Sequence, residues 1–198
     1  MNKKADVGIG TLIIFIAMIM VAGITANVLI QTTQSLQSRA LQTGTQAQRA
    51  ISTLPTINRI VAENVAQGIE DFRLELKLSP GSEGIDLRTA MLSMELNDDG
   101  YTFTYTEGDC VNNSTTGYST DLANKNGTFT VRYLVRGNSN QIGYLMRGDI
   151  VELCFASANR IGENRRVELR FVPQVGMVAT ASFYTPNILT GTRARLFP

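Results

Sequence analysis

The chain has 198 residues, 43% apolar and 18% charged, with a net charge of +1. It contains no histidine, which excludes Ser-His-Asp and Cys-His nucleophile systems and any His-containing zinc site. Its 18 Lys and Arg are scattered; they read as solvated strand faces and form no basic patch of the kind nucleic acid requires. No motif supports carboxylate or lysine chemistry, so the chain reads as a non-enzyme with no catalytic residue and no cofactor.

Met1–Ala5 is a short leader carrying Lys3 and Lys4. The run Val7–Ile30 follows without a charge and exceeds the roughly 20 apolar residues a helix needs to cross a bilayer core. Two lysines before such a run hold the N-terminus in the cytoplasm, which places the remainder of the chain outside. A secretory signal cut after Ala26 is the simpler alternative. Its apolar region would be shorter and would end in a loop, whereas Asn27–Ile30 continues the helical pattern. Gly8, Gly10, Ala17, Ala22, Gly23 and Ala26 offer small faces, and Ala22 and Ala26 have the spacing of close helix packing. A plain single-pass anchor would carry such residues too.

Gln31–Thr53 contains fourteen Gln, Ser or Thr among 23 residues, with Arg39 and Arg49 its only charges. A solvated helix would alternate Glu and Lys. Leu29, Leu36, Ala40, Ala47, Ile51 and Leu54 instead keep one helical face apolar, and uncharged amides and hydroxyls enter crowded contacts without the cost of desolvating a charge. The stretch reads as helix packed on other helices. Val7–Leu54 as one helix would run roughly 70 Å at about 1.5 Å per residue. Gly44 is its weak point and Pro55 its end.

Beyond Pro55 the periodicity falls to two, the strand signal. Ile57–Glu63 is ambiguous on its own pattern. In Ile69–Leu78, Phe72, Leu74, Leu76 and Leu78 alternate with Arg73, Glu75 and Lys77. Ser79–Leu87 is turn chemistry. Ala90–Leu96 and Tyr101–Thr106 form a predicted hairpin across Asn97–Gly100. Asp98 and Asp99 in that turn are a weak calcium candidate, lacking the full ligand set of a calcium loop, and a plain turn is the preferred reading. Glu107–Gly127 is a polar surface excursion with sequons at Asn112, Asn113 and Asn126. Thr128–Arg136 alternates Phe129, Val131, Tyr133 and Val135 against Arg132 and Arg136. Asp149–Ala156 puts Val151, Leu153 and Phe155 on one face and Cys154 on the other. Arg166–Val172 and Met177–Tyr184 are the last two expected strands. The two cysteines, Cys110 and Cys154, suit a disulfide in an exported domain, two buried thiols, or a chance pair. About eight short strands predict an antiparallel β-sandwich, giving an α+β chain.

The N-terminal sequence Lys3-Lys4-Ala5-Asp6-Val7-Gly8-Ile9-Gly10, running into Thr11–Met18, resembles the start of archaeal flagellins, the type IV pilin-like subunits of the archaeal swimming filament. Ser79–Leu87 and the tail from Thr185 to Pro198 resemble the same family. The resemblance implies a cut after Ala5 by a prepilin-type peptidase. Asp6 then becomes the mature terminus, Gly8 the third mature residue, and the net charge −1. It implies a strand at Ile57–Glu63 and an Ig-like or pilin-like sandwich. Three parts follow: leader 1–5, helix 6–54 as membrane anchor and later filament core, and an extracellular domain 55–198. The implied partners are copies of the chain and other archaellins, the peptidase, the membrane before assembly, and the motor platform at the filament base. Bacterial type IV pilins carry glutamate at the fifth mature position, which here is Gly10. That favours a swimming filament over an adhesive pilin. An archaeal adhesive or secretion-system pilin-like subunit and a monomeric membrane-tethered β-sandwich that binds a ligand or acts as an enzyme are the alternatives.

Overall fold

The computed structural model describes residues 3–63, 65–96, 99–108, 110 and 127–198. It divides into two compact units, Met1–Ala47 and Gln48–Pro198. A continuous helix, α1 (Lys3–Ser52), supplies all of the first unit's described structure and contributes its last turn to the second. No proline interrupts it, and Gly44 does not break it. Pro55 begins the first strand, three residues past the helix end.

The second unit is β-rich. Its strands are β1 (Pro55–Glu63), β2 (Ile69–Leu78), β3 (Ile85–Asp86), β4 (Met91–Leu96), β5 (Asp99–Tyr105), β6 (Thr128–Val135), β7 (Tyr144–Leu145), β8 (Ile150–Ile161), β9 (Arg166–Val172), β10 (Ala179–Tyr184) and β11 (Arg193–Phe197). Nine form one sheet in the order β10-β9-β4-β5-β6-β8-β2-β1-β11, and β3 pairs with β7. All pairs are antiparallel except β5 with β6. The two end strands also approach each other, and β10 approaches β1. The sandwich is therefore one sheet rolled upon itself, as the cumulative twist of many strands favours.

Period-two alternation sets the inner face. Phe72, Leu74 and Leu76 of β2, Val151, Leu153 and Phe155 of β8, and Val167, Leu169 and Phe171 of β9 are fully buried in one core. Phe72 stacks on Phe155 with ring centres 5.3 Å apart, and Phe103 tilts onto the same ring at 4.9 Å. The parallel β5–β6 pair requires the intervening chain to return to the end where β5 began, which gives the long excursion after Tyr105 its topological reason.

Several expectations change. β8 continues to Ile161, past the expected end at Ala156. Asp99 lies in β5, paired with Leu96, and not in a turn; Asp98 lies outside the described residues. Val135 does not join the inner face, because the β6–β8 register shifts after Tyr133 and leaves it exposed. The strand cations are not all solvated: Arg73 is buried. β3, β7 and β11 are additional strands that the sequence pattern does not predict.

Candidate assembly surface

The described apolar side chains of α1, from Ile9 through Phe15 and Val21 to Leu41, are about half exposed or more. By length and composition this helix could cross a membrane. Its polar side chains are arranged for a dry setting. Hydroxyls bond back to the helix itself: Thr11 to the Gly8 carbonyl, Thr25 to Val21, Thr33 to Leu29, Thr43 to Arg39 and Thr45 to Gln42, all at 2.8–2.9 Å. A hydroxyl satisfied in this way can be buried without losing a hydrogen bond. Gln34, Gln37 and Gln42 make no such bond within the described chain, so their amides remain available. A Cβ built on Gly8, Gly10, Gly23 or Gly44 meets nothing within 4 Å. Each glycine costs a helix roughly 1 kcal/mol relative to alanine, and the described chain offers no contact that explains the cost.

The helix root is held in the second unit by several backbone bonds. Thr53 N–H continues the helix ladder to the Arg49 carbonyl at 3.0 Å. Leu54 N–H donates to Ser82 Oγ at 3.0 Å, and Ser79 N–H to the Leu54 carbonyl at 3.0 Å. Met177 N–H donates to the Thr53 carbonyl at 2.8 Å. Thr53 and Ser82 are buried. Arg49 pairs with Glu83 at 3.4 Å.

The outer face of the sheet carries alternating charges across five neighbouring strands. Arg132 of β6 bonds Glu152 of β8. Arg73 of β2 lies 3.7 Å from Glu152 and 3.0 Å from Glu63 of β1, and Glu63 meets Arg193 of β11 at 2.6 Å. Glu63, Arg73 and Glu152 are all buried. Beside them Cys110 and Cys154 are joined as a disulfide with Cα atoms 5.8 Å apart, away from the main core. Their sulfurs and a Glu152 carboxylate oxygen all lie within 4.8 Å of one another. Disulfide sulfurs are not thiolates, and Glu152 is committed to two arginines, so the cluster offers no metal site.

The sequons at Asn112, Asn113 and Asn126 lie outside the described residues. Ala17 and Ala22 stand on the exposed helix surface with Ile14, Met18 and Val21. Sequence reasoning missed the outer-face charges, because their partners lie on strands distant in the chain.

A chain with an apolar helix of this length open on its surface needs a partner for the helix. The archaeal-type flagellin family model matches residues 5–183. The chain belongs to the archaeal-type flagellin family. Flagellin B1 of Thermoplasma volcanium is 30% identical over 152 residues, covering 70% of this chain and 62% of that protein. Flagellin A of Methanococcus voltae is 39% identical over 93 residues, and the aligned part spans less than half of its length. Flagellin B1 of Methanocaldococcus jannaschii is 28% identical over 205 residues, covering 96% of this chain and 94% of that protein. Among solved structures, the crystal structure of archaeal flagellin FlaB1 from Methanocaldococcus jannaschii superposes with a TM-score of 0.63 at 21% identity, covering 73% of this flagellin and 96% of that chain. The archaeal flagellum of Methanospirillum hungatei superposes with 0.67 at 12% identity, covering 94% and 98%. Each shares the fold over the part it covers, and the Methanospirillum chain covers nearly the whole of this one.

Proposed function

We propose that this flagellin polymerises through α1 into the extracellular filament of the archaeal flagellum, used for swimming. The leader is removed after Ala5 by a prepilin-type peptidase, with Lys3, Lys4, Asp6 and Gly8 defining the cleavage site. The helix 6–54 waits in the cytoplasmic membrane and then enters a bundle of identical helices. Lipid tails and a Leu/Ile bundle are equally apolar, so transfer between them is decided by close packing of small residues. Gly8, Gly10, Ala17, Ala22, Gly23 and Ala26 supply that packing. The domain 55–198 faces outward, with Asn112, Asn113 and Asn126 as glycan acceptors, and the base of the filament meets the motor platform. Other archaellins join the same polymer. A head-to-tail contact that does not close on itself generates an open helical filament.

The observation that carries this reading is the exposed apolar helix whose glycines meet no neighbour within the described chain. The test is intact mass and N-terminal sequencing of filaments sheared from cells, beside a swimming assay of a strain lacking the gene. The expected mature chain begins at Asp6 and the mutant does not swim. A chain beginning near Asn27, or a swimming mutant with lost attachment, overturns it.

A further inference from the structure

We propose that the Cys110–Cys154 disulfide is a redox-sensitive latch over the seam between β5 and β6. Its reduction opens the sheet along that seam while the strand pairs on either side persist. The seam is the thinnest junction among the described strands of the nine-stranded sheet. β5 and β6 share two residue pairs, Thr104 with Thr128 and Tyr105 with Phe129. The β4–β5 junction on one side and the β6–β8 junction on the other have six each. It is also the parallel junction, a pairing slightly less stable per residue than the antiparallel kind. Thr104 N–H donates across it to the Gly127 carbonyl at 2.8 Å, and Thr106 N–H to the Phe129 carbonyl at 2.9 Å. The strands β10-β9-β4-β5 lie on one side of the seam and β6-β8-β2-β1-β11 on the other.

The disulfide reaches across that seam. Thr130 of β6 is the register partner of Cys154 in β8. Cys110 follows the end of β5 and lies beside Thr130, with Sγ 3.9 Å from the Thr130 carbonyl oxygen and 3.7 Å from that of Glu152. Gly108 lets the chain run close to β6, since a Cβ there would stand 3.1 Å from Thr130 Cγ2. The bond thus passes over β6 and ties the exit of β5 to β8. Other contacts join the two sides without it. Phe103 of β5 packs on Phe155 of β8 with ring centres 4.9 Å apart, Tyr105 meets Phe129 at 6.0 Å, and Asn159 Nδ2 donates to Tyr101 Oη at 3.1 Å. They keep the core closed, so loss of the latch frees the seam and not the fold. A cross-link acts chiefly by constraining the open state, and local opening starts where few bonds join the chain. Reduction by a dithiol balances. Its thiolate attacks one cysteine sulfur, the S–S bond breaks and the other cysteine leaves; the reductant's second thiol then releases the first from the mixed disulfide. Cys110 and Cys154 end as thiols, having gained two electrons and two protons, and the dithiol leaves as a cyclic disulfide. The latch belongs to the β domain alone and stands apart from the filament reading.

Hydrogen exchange read by mass spectrometry provides the test, on the full chain in detergent. Three forms are compared: oxidised, held in dithiothreitol, and carrying Cys110→Ala with Cys154→Ala. The double variant opens the latch whether or not a reductant reaches the buried bond. Exchange at Thr104 and Thr106 is expected to rise about 10-fold or more in the reduced and doubly substituted forms, with β2, β4 and β9 keeping their protection. Returning the reduced chain to oxidised glutathione is expected to restore the slow rate. Unchanged exchange at the seam in the double variant overturns the proposal. So does loss of protection throughout the domain, which would make the bond a support of the whole fold. A rise confined to residues beyond Gly108 overturns it too, because the bond would then anchor only the excursion. A bond that dithiothreitol leaves intact by mass, or a seam that stays open after reoxidation, refutes it as a redox device.

Discussion

Gly176 and Tyr133 hold their surroundings by means that a single substitution exposes. At Gly176 the positive φ and the 2.8 Å approach to the Thr53 oxygen both reject a side chain. Gly176→Ala is expected to cost about 1–3 kcal/mol from backbone strain and crowding, visible as a lowered thermal unfolding midpoint of the full chain in detergent. An unchanged midpoint would show that the loop relaxes freely. Tyr133 Oη lies 2.8 Å from the Tyr144 carbonyl oxygen and 3.0 Å from that of Gln141, and its single proton serves one of them at a time. Burial raises its pKa above the ordinary tyrosine value, and nearby Asp149 adds to the shift. Tyr105 is raised by burial too. The unfolded chain thus loses these protons at lower pH than the folded one. Stability from this source is whole below about pH 10 and falls as pH rises toward the raised folded values. Urea titrations across that range are expected to show this fall, with a shallower slope in Tyr133→Phe. A slope identical to that of the native chain would contradict it.

At the scale of strands and helix, local pattern and long-range pairing divide the work. β2 and β9 have the bounds that alternation predicts, because a buried face imprints period two on the residues that form it. β3 and β7 have two residues each, too few to alternate, and exist only because they meet. The buried charges were legible as residues but not as a network. Glu63 and Arg193 are 130 positions apart, and no local pattern joins them. Glu63→Ala removes one counter-charge from the buried Arg73 and from Arg193. The expected loss is about 1–3 kcal/mol, since the buried Arg73 loses one charged acceptor while Glu152 stays beside it. Denaturant unfolding followed by circular dichroism measures it, and a loss below about 1 kcal/mol, the range of a surface pair, would place these charges effectively in solvent. Cys154 was legible as outward-facing from the alternation of β8. Its bond to Cys110 depended on a segment whose path no periodicity describes.

For the whole molecule, the proposed assembly rests on the smallness of helix residues that meet no neighbour within the described chain. Ala22→Leu with Ala26→Leu retains helix propensity and adds bulk on the face proposed to meet neighbouring helices. The doubly substituted subunit is expected to be made, to form its disulfide and to keep its helical circular dichroism, yet to yield no filaments by electron microscopy. Filaments of normal form would show that these alanines do not lie at a packed face. The sequence by itself determined the long helix, its apolar and amide-rich halves, and most long strands, because each of these is a repeating local pattern of 3.6 or 2 residues. Only the tertiary structure decided the rolled single sheet with its one parallel pair among the described strands, the charges paired across five strands, and the closure of Gly176 on Thr53. Those features join residues with no periodic relation to one another, and they arise only when the strands have found their neighbours.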